Sequence, residues 1–137
     1  PMMLLDELLD YDAEHVNCSV TIRPDTLFCE SKRGVPSWVG IEYMAQTASA
    51  YSGILDAFAN RPASICLLLG TRRYQAEKPY FPVGARLRIS AELVLRDESD
   101  LAAFDCMIDD GDTVIARGDI KAYRPKDIAA VVRGERI

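Results

Sequence analysis

The stretch that most constrains this chain runs from Pro36 to Phe58, PSWVGIEYMAQTASAYSGILDAF. Trp38, Ile41, Ala45, Ala48 and Leu55, with Met44, Tyr51, Ile54 and Phe58 one row over, recur at three- and four-residue spacing, the period of an α-helix. Proline followed by Ser37 marks the start, because a serine hydroxyl accepts from the free N–H groups of a first turn. Asn60-Arg61-Pro62 marks the end. At about 1.5 Å per residue the rod is roughly 33 Å long, enough to cross a small domain. Its gaps hold Gly40, Ala45, Ala48, Ser49, Ala50 and Gly53 instead of long charged side chains, which predicts burial nearly all round. Glu42, Gln46 and Ser49 stack along one line of it. A carboxylate on an otherwise buried helix is costly unless it is paired or used, so Glu42 is the residue to explain.

The segments around the helix read as strands. Over residues 14–23, Val16, Cys18, Val20 and Ile22 alternate with Asn17, Ser19 and Thr21, a half-buried strand. Residues 1–10 have apolar positions at i, i+3 and i+4 and read as a short helix or an extended arm, and 27–35 as a loop. After the helix, the continuously apolar run 64–70 predicts a central strand, which 71–77 extends or follows with another. A loop at 78–84 precedes alternation over 86–96, with Leu87, Ile89, Ala91, Leu93 and Leu95 inward. A polar turn at 97–100, a strand at 101–108, the hairpin signal Asp109-Asp-Gly-Asp112 and a returning strand at 113–123 complete the pattern. One long apolar helix wrapped by a curved antiparallel sheet is an α+β arrangement, the hot-dog architecture, occupying residues 1–125 as a single domain with a tail at 126–137. A helix too apolar for one sheet to cover implies a second subunit.

Composition narrows the partners. With 137 residues and a net charge of −5, neither nucleic acid nor an anionic membrane is the expected partner. Cys18, Cys29, Cys66 and Cys106 form no CxxC pair, and three of them sit in alternating strands, where a free thiol acts as a small hydrophobe. With no signal peptide or membrane-length apolar run, the expected setting is the reducing cytoplasm. The chain begins at Pro1 without an initiator methionine, so native residues are expected to precede it.

Several segments resemble the hot-dog 3-hydroxyacyl-ACP dehydratases of fatty acid synthesis. They are Pro1-Met-Met-Leu-Leu-Asp-Glu-Leu-Leu-Asp-Tyr11, Pro36-Ser-Trp-Val-Gly-Ile-Glu42-Tyr-Met-Ala-Gln46, Phe81-Pro-Val-Gly84-Ala-Arg-Leu and Ile115-Ala-Arg-Gly-Asp-Ile-Lys-Ala122. The similarity spans about residues 1–125, and Trp38 with the Met44-Ala-Gln-Thr47 run looks most like the dehydratase-like subunit of aryl polyene gene clusters. The resemblance implies Glu42 as catalytic acid with Gln46 beside it. Phe28, Cys29, Ser37, Trp38 and Ile41 are then the substrate-binding positions. It further implies an acyl thioester of carrier protein or CoA as substrate, no cofactor, and a site shared between two hot-dog subunits, in a homodimer or a heterodimer. One departure stands out. The family places a histidine fourteen residues before the acid, and here that position is Phe28, followed by Cys29-Glu-Ser-Lys-Arg-Gly34. The chain's one histidine, His15, lies on the first strand and is expected to face solvent or a neighbour.

Dehydration of a β-hydroxyacyl thioester needs a base for the α-proton, an acid for the hydroxyl and donors for the thioester oxygen. Glu42 in an apolar tunnel would supply the acid, and the Ser37 and Trp38 N–H groups the donors. The base is missing, so the sharpest reading is a composite site completed by a histidine-bearing partner. The other readings are a non-catalytic acyl-ACP scaffold, with Glu42 satisfied by Gln46 or Ser49, and a thioesterase using Glu42 alone. Cys29, beside Lys32 and Arg33, is a weak base and reads as a loop thiol. Lys32-Arg33, Arg72-Arg73 and Arg86 with Arg88 are candidate contacts for an acidic carrier protein. A hairpin tip explains Asp109, Asp110 and Asp112 without a metal.

Overall fold

A computed structural model describes residues 3–60, 67–97 and 101–123, the side chains of Leu67 and Leu68 excepted. Cys66, the turn at 98–100 and the tail at 126–137 lie outside the described residues. The strands are β1 (Glu7–Tyr11), β2 (His15–Thr21), β3 (Val35–Pro36), β4 (Leu67–Gly70), β5 (Tyr74–Ala76), β6 (Tyr80–Phe81), β7 (Arg86–Arg96), β8 (Leu101–Asp109) and β9 (Val114–Tyr123). The helix α1 is Gly40–Phe58, preceded by a 3₁₀ turn at Ser37–Val39. Seven strands form one antiparallel sheet in the order β1-β2-β7-β8-β9-β4, with β5 also on β9, and β3 pairs with β6 apart from it.

The alternation seen in sequence decides what the sheet turns inward. Val16, Cys18 and Val20 of β2, Leu87, Ile89 and Ala91 of β7, Phe104, Cys106 and Ile108 of β8, and Ala116 and Ile120 of β9 are buried together. Onto them α1 lays Tyr43, Met44, Thr47, Ala48 and Tyr51. Tyr51 packs edge-on against Phe104 at 5.7 Å between ring centres, and its hydroxyl donates to the Ala13 carbonyl at 2.6 Å, anchoring the β1–β2 turn to the helix.

Three expectations are corrected and one is narrowed. The helix is not buried nearly all round, since Glu42, Ser49 and Gly53 are exposed; the sheet covers only one side of the rod. Residues 7–11 are not a helix but extended, as the strand β1, because β2 offers them a pairing edge. Leu95 is exposed where period-two counting turned it inward, since the β7–β8 register slips between Leu93 and Leu95 and a bulge reverses every later side chain. Ser37 is not a cap. Its side chain makes no capping bond, and its backbone N–H donates to the Pro79 carbonyl at 2.8 Å, continuing the β3–β6 pairing.

Two glycines permit this junction. Gly34 has φ +105°, and a Cβ there would lie 2.0 Å from the Phe81 carbonyl oxygen. At Gly40 a Cβ would meet the Tyr74 hydroxyl at 2.1 Å, and that hydroxyl donates to the Ser37 carbonyl at 2.6 Å. The start of the helix is thereby fixed against β5 and the loop carrying Phe81-Pro82-Val83-Gly84.

Candidate active site

Glu42 sits in the first turn of α1 on the uncovered stripe. One turn on along that stripe is Gln46, whose Nε2 donates to Glu42 Oε1 at 3.5 Å. Gln46 Oε1 in turn accepts the backbone N–H of Leu4 at 2.9 Å, linking the helix to the N-terminal arm. The arm is fixed by Asp6, whose carboxylate accepts the Thr21 N–H at 2.7 Å and reaches the Arg23 guanidinium at 3.3 Å. Burial alone would raise the Asp6 carboxyl, but the Thr21 N–H and the Arg23 charge outweigh it and hold the group below its ordinary value.

Phe28 and Trp38 meet edge-to-face at 5.7 Å, both exposed, Trp38 at 61%. Phe28 takes φ +71°, a backbone region that costs a bulky residue free energy. The structure thus brings Glu42, Gln46, Trp38, Phe28 and Ile41 to one end of α1. Cys29 is half-buried against the core, its N–H donating to the Thr26 carbonyl at 2.9 Å. Ser37 contributes no free N–H, for the reason given above.

Glu42 is exposed, so no apolar tunnel encloses it among the described residues. Between α1 and the sheet the cavity beside Ala48, Ser52, Leu55, Ala102 and Phe104 holds about 30 Å³, room for water and not for an acyl chain. A larger groove, about 970 Å³, lies on the opposite face of the sheet among His15, Arg72, Arg73, Glu92, Asp105 and Arg117, away from Glu42.

His15 lies at that groove, exposed as expected. Its Nδ1 is 2.9 Å from Asp12 Oδ1 and its Nε2 is 3.0 Å from Glu92 Oε2. Two carboxylates around the ring favour its protonated form, and the Asp12 hydrogen bond leads in raising the imidazole above its ordinary value. Arg86 pairs with Glu7 at 3.1 Å, Arg88 approaches Asp109 at 4.0 Å, and Arg33 lies over the Tyr80 ring. The backbone N–H groups of Arg72 and Arg73 donate to Asp119 at 2.9 and 2.8 Å, with both side chains exposed. Asp109 and Asp110 accept backbone N–H groups of the hairpin at 3.0 Å.

Two site features escaped the sequence. One is the Leu4–Gln46 link, which needs β1 paired to β2 before the arm can reach the helix. The other is Tyr43, stacked on Phe81 at 6.1 Å, whose fully buried hydroxyl has no hydrogen-bond partner among the described residues. Burial pushes that phenol up to about 12. Among the described residues no helix is long and apolar enough to cross a membrane.

The protein is similar to a chain of the dehydratase heterocomplex ApeI:P from Xenorhabdus doucetiae, with 28% identity and a TM-score of 0.89 over 98% of this chain and 90% of that one. Fold alone is shared with AziG of S. sahachiroi (16% identity, TM-score 0.66, 87% of this chain and 90% of that one). The same holds for SAV0944 of Staphylococcus aureus (17%, 0.65, 85% of this chain and 90% of that one). A comparison with curated proteins gives no match. The sequence profile of the ApeP-like family, described as ApeP dehydratase, matches residues 1–133. With that match over nearly the whole length and the helix-in-sheet architecture above, the chain belongs to the ApeP-like dehydratase family and has the hot-dog fold.

Proposed function

We propose that this chain is one subunit of a heterodimeric 3-hydroxyacyl thioester dehydratase and lends Glu42 to a site whose base is a histidine of a partner hot-dog subunit. The observation that carries the reading is a pairing of presence and absence. Glu42 stands on the one helix stripe the sheet leaves uncovered, while the position where the resembling enzymes carry histidine is Phe28. The similar heterocomplex from Xenorhabdus doucetiae supports a two-subunit arrangement.

In this reading the partner's imidazole takes the α-proton and Glu42 delivers a proton to the β-hydroxyl, so that water leaves and the α,β double bond forms. The developing negative charge on the thioester oxygen is met by the Trp38 N–H in the first turn, where helix N–H groups lack intrahelical acceptors and the dipole favours an anion. A second subunit laid over the stripe removes water from Glu42 and closes the apolar channel that one protomer leaves open. The acyl group arrives as a carrier-protein or CoA thioester.

The test is to mix this chain with its histidine-bearing partner and assay dehydration of a 3-hydroxyacyl-ACP. Activity appears in the mixture and falls by roughly a thousandfold with Glu42→Ala in this chain. Full activity of that variant refutes the reading and leaves the scaffold role. Hydrolysis of acyl-ACP by this chain alone would instead make it a thioesterase.

A further inference from the structure

We propose that the N-terminal arm is a positioning element for the acid: the Leu4 N–H fixes which way the Gln46 amide faces, and the amide fixes which oxygen of Glu42 carries the transferable proton. The inference rests on the reading of Glu42 as the working acid and deepens it.

The argument turns on what each group is able to do. A backbone N–H only donates, so the Gln46 atom 2.9 Å from Leu4 N must be the carbonyl oxygen. The NH₂ end is then directed to Glu42, 3.5 Å from Oε1. In the acid form that the proposed reaction needs, the oxygen accepting from the amide NH₂ is the carbonyl-like one, which leaves the transferable proton to Oε2. With the amide reversed, its carbonyl oxygen would face Glu42 and accept that proton itself, withholding it from the substrate hydroxyl. The two orientations of a glutamine amide are nearly isosteric, and only the hydrogen-bond network separates them. Here the Leu4 N–H of the arm is a partner that selects one of them.

The arm is built to hold that position. Leu4 is buried in the core, and Asp6 N–H donates to the Ser19 carbonyl at 2.8 Å. The Asp6 carboxylate closes on Thr21 and Arg23 at the far end of β2. Leu4 therefore stands two residues from a clamped point, with its N–H directed at the helix.

The experiment uses the complex of this chain with its histidine-bearing partner and reads kcat, KM and the pH profile of dehydration. Leu4→Pro removes the N–H and is expected to lower kcat roughly tenfold with KM within about twofold, the size expected for losing one neutral hydrogen bond. Met3→Pro, with a proline one residue earlier at an exposed position, is the control for backbone restriction and leaves kcat unchanged. Gln46→Glu keeps an acceptor for Leu4 but sets a carboxyl against Glu42, and it should lower kcat further and move the acidic limb of the profile. In the isolated chain, Gln46→Leu should speed hydrogen exchange of the Leu4 amide by at least about tenfold. A folded Leu4→Pro complex with wild-type kcat and pH profile overturns the inference, as does unchanged Leu4 exchange in Gln46→Leu. If Glu42→Gln is itself fully active, the acid assignment fails first; if Glu42→Gln is dead while the arm variants are normal, only the arm's role falls.

Discussion

The two faces of α1 have been shaped by different demands. On the covered face Tyr43, Met44, Thr47, Ala48 and Tyr51 are buried against four strands. On the other, Glu42, Gln46 and Ser49 stand on a stripe of small residues with exposed Trp38 and Phe28 at its head. The covered face makes the protomer fold. The uncovered one carries Glu42 and, in the proposed arrangement, receives the second polypeptide. In a single chain the two faces should therefore answer to different measurements.

Truncation breaks or upholds that contrast most sharply. Met44→Ala removes a fully buried side chain and should destabilise the isolated chain by about 2–5 kcal/mol, whereas Ser49→Ala on the open stripe should stay within about 0.5 kcal/mol. Chemical denaturation of both variants makes the comparison, and a large loss from Ser49→Ala would mean the stripe is already covered in solution. At the junction of the faces, Gly40→Ala drives a methyl into the Tyr74 hydroxyl and should cost about 1–3 kcal/mol, read as a lowered denaturation midpoint.

How much of this was legible in the sequence follows the same division. The helix, β7 as far as Leu93, β8, the Asp-Gly hairpin and β9 were all visible, because one face of each packs on a core and hydrophobic period reports that directly. Periodicity failed where pairing decided the outcome. Leu95 turned outward at a bulge, and residues 7–11 became a strand because β2 had an edge to offer. Ser37 makes no side-chain cap, and its N–H is held by the Pro79 carbonyl just before β6. At the site, Glu42, Gln46 and Trp38 stood out by spacing and resemblance. Their exposure did not, since small residues such as Ala45 and Gly53 suit a buried helix and a docking stripe equally well. The Leu4–Gln46 bond joins residues 42 positions apart and has no signature in a single sequence.

A smaller effect sharpens the account of the arm. The Asp6 carboxyl is depressed in the folded chain, so its stabilisation is fully present above the unfolded value near about 4 and is lost as pH falls through the lower folded value. Thermal denaturation of wild type and Asp6→Asn should differ at pH about 6 and converge as the pH drops below about 4. A constant difference across that range would mean the charge of Asp6 is not what fixes the arm.

The central claim is that one carboxyl from this chain completes a site begun by another. Its most direct measurement is single-turnover dehydration by the assembled pair, with this chain in wild-type or Glu42→Gln form and the partner unchanged. The account predicts one productive site per pair with wild-type chain and essentially none with Glu42→Gln, although the pair still assembles. An equal burst of product from both pairs would contradict it.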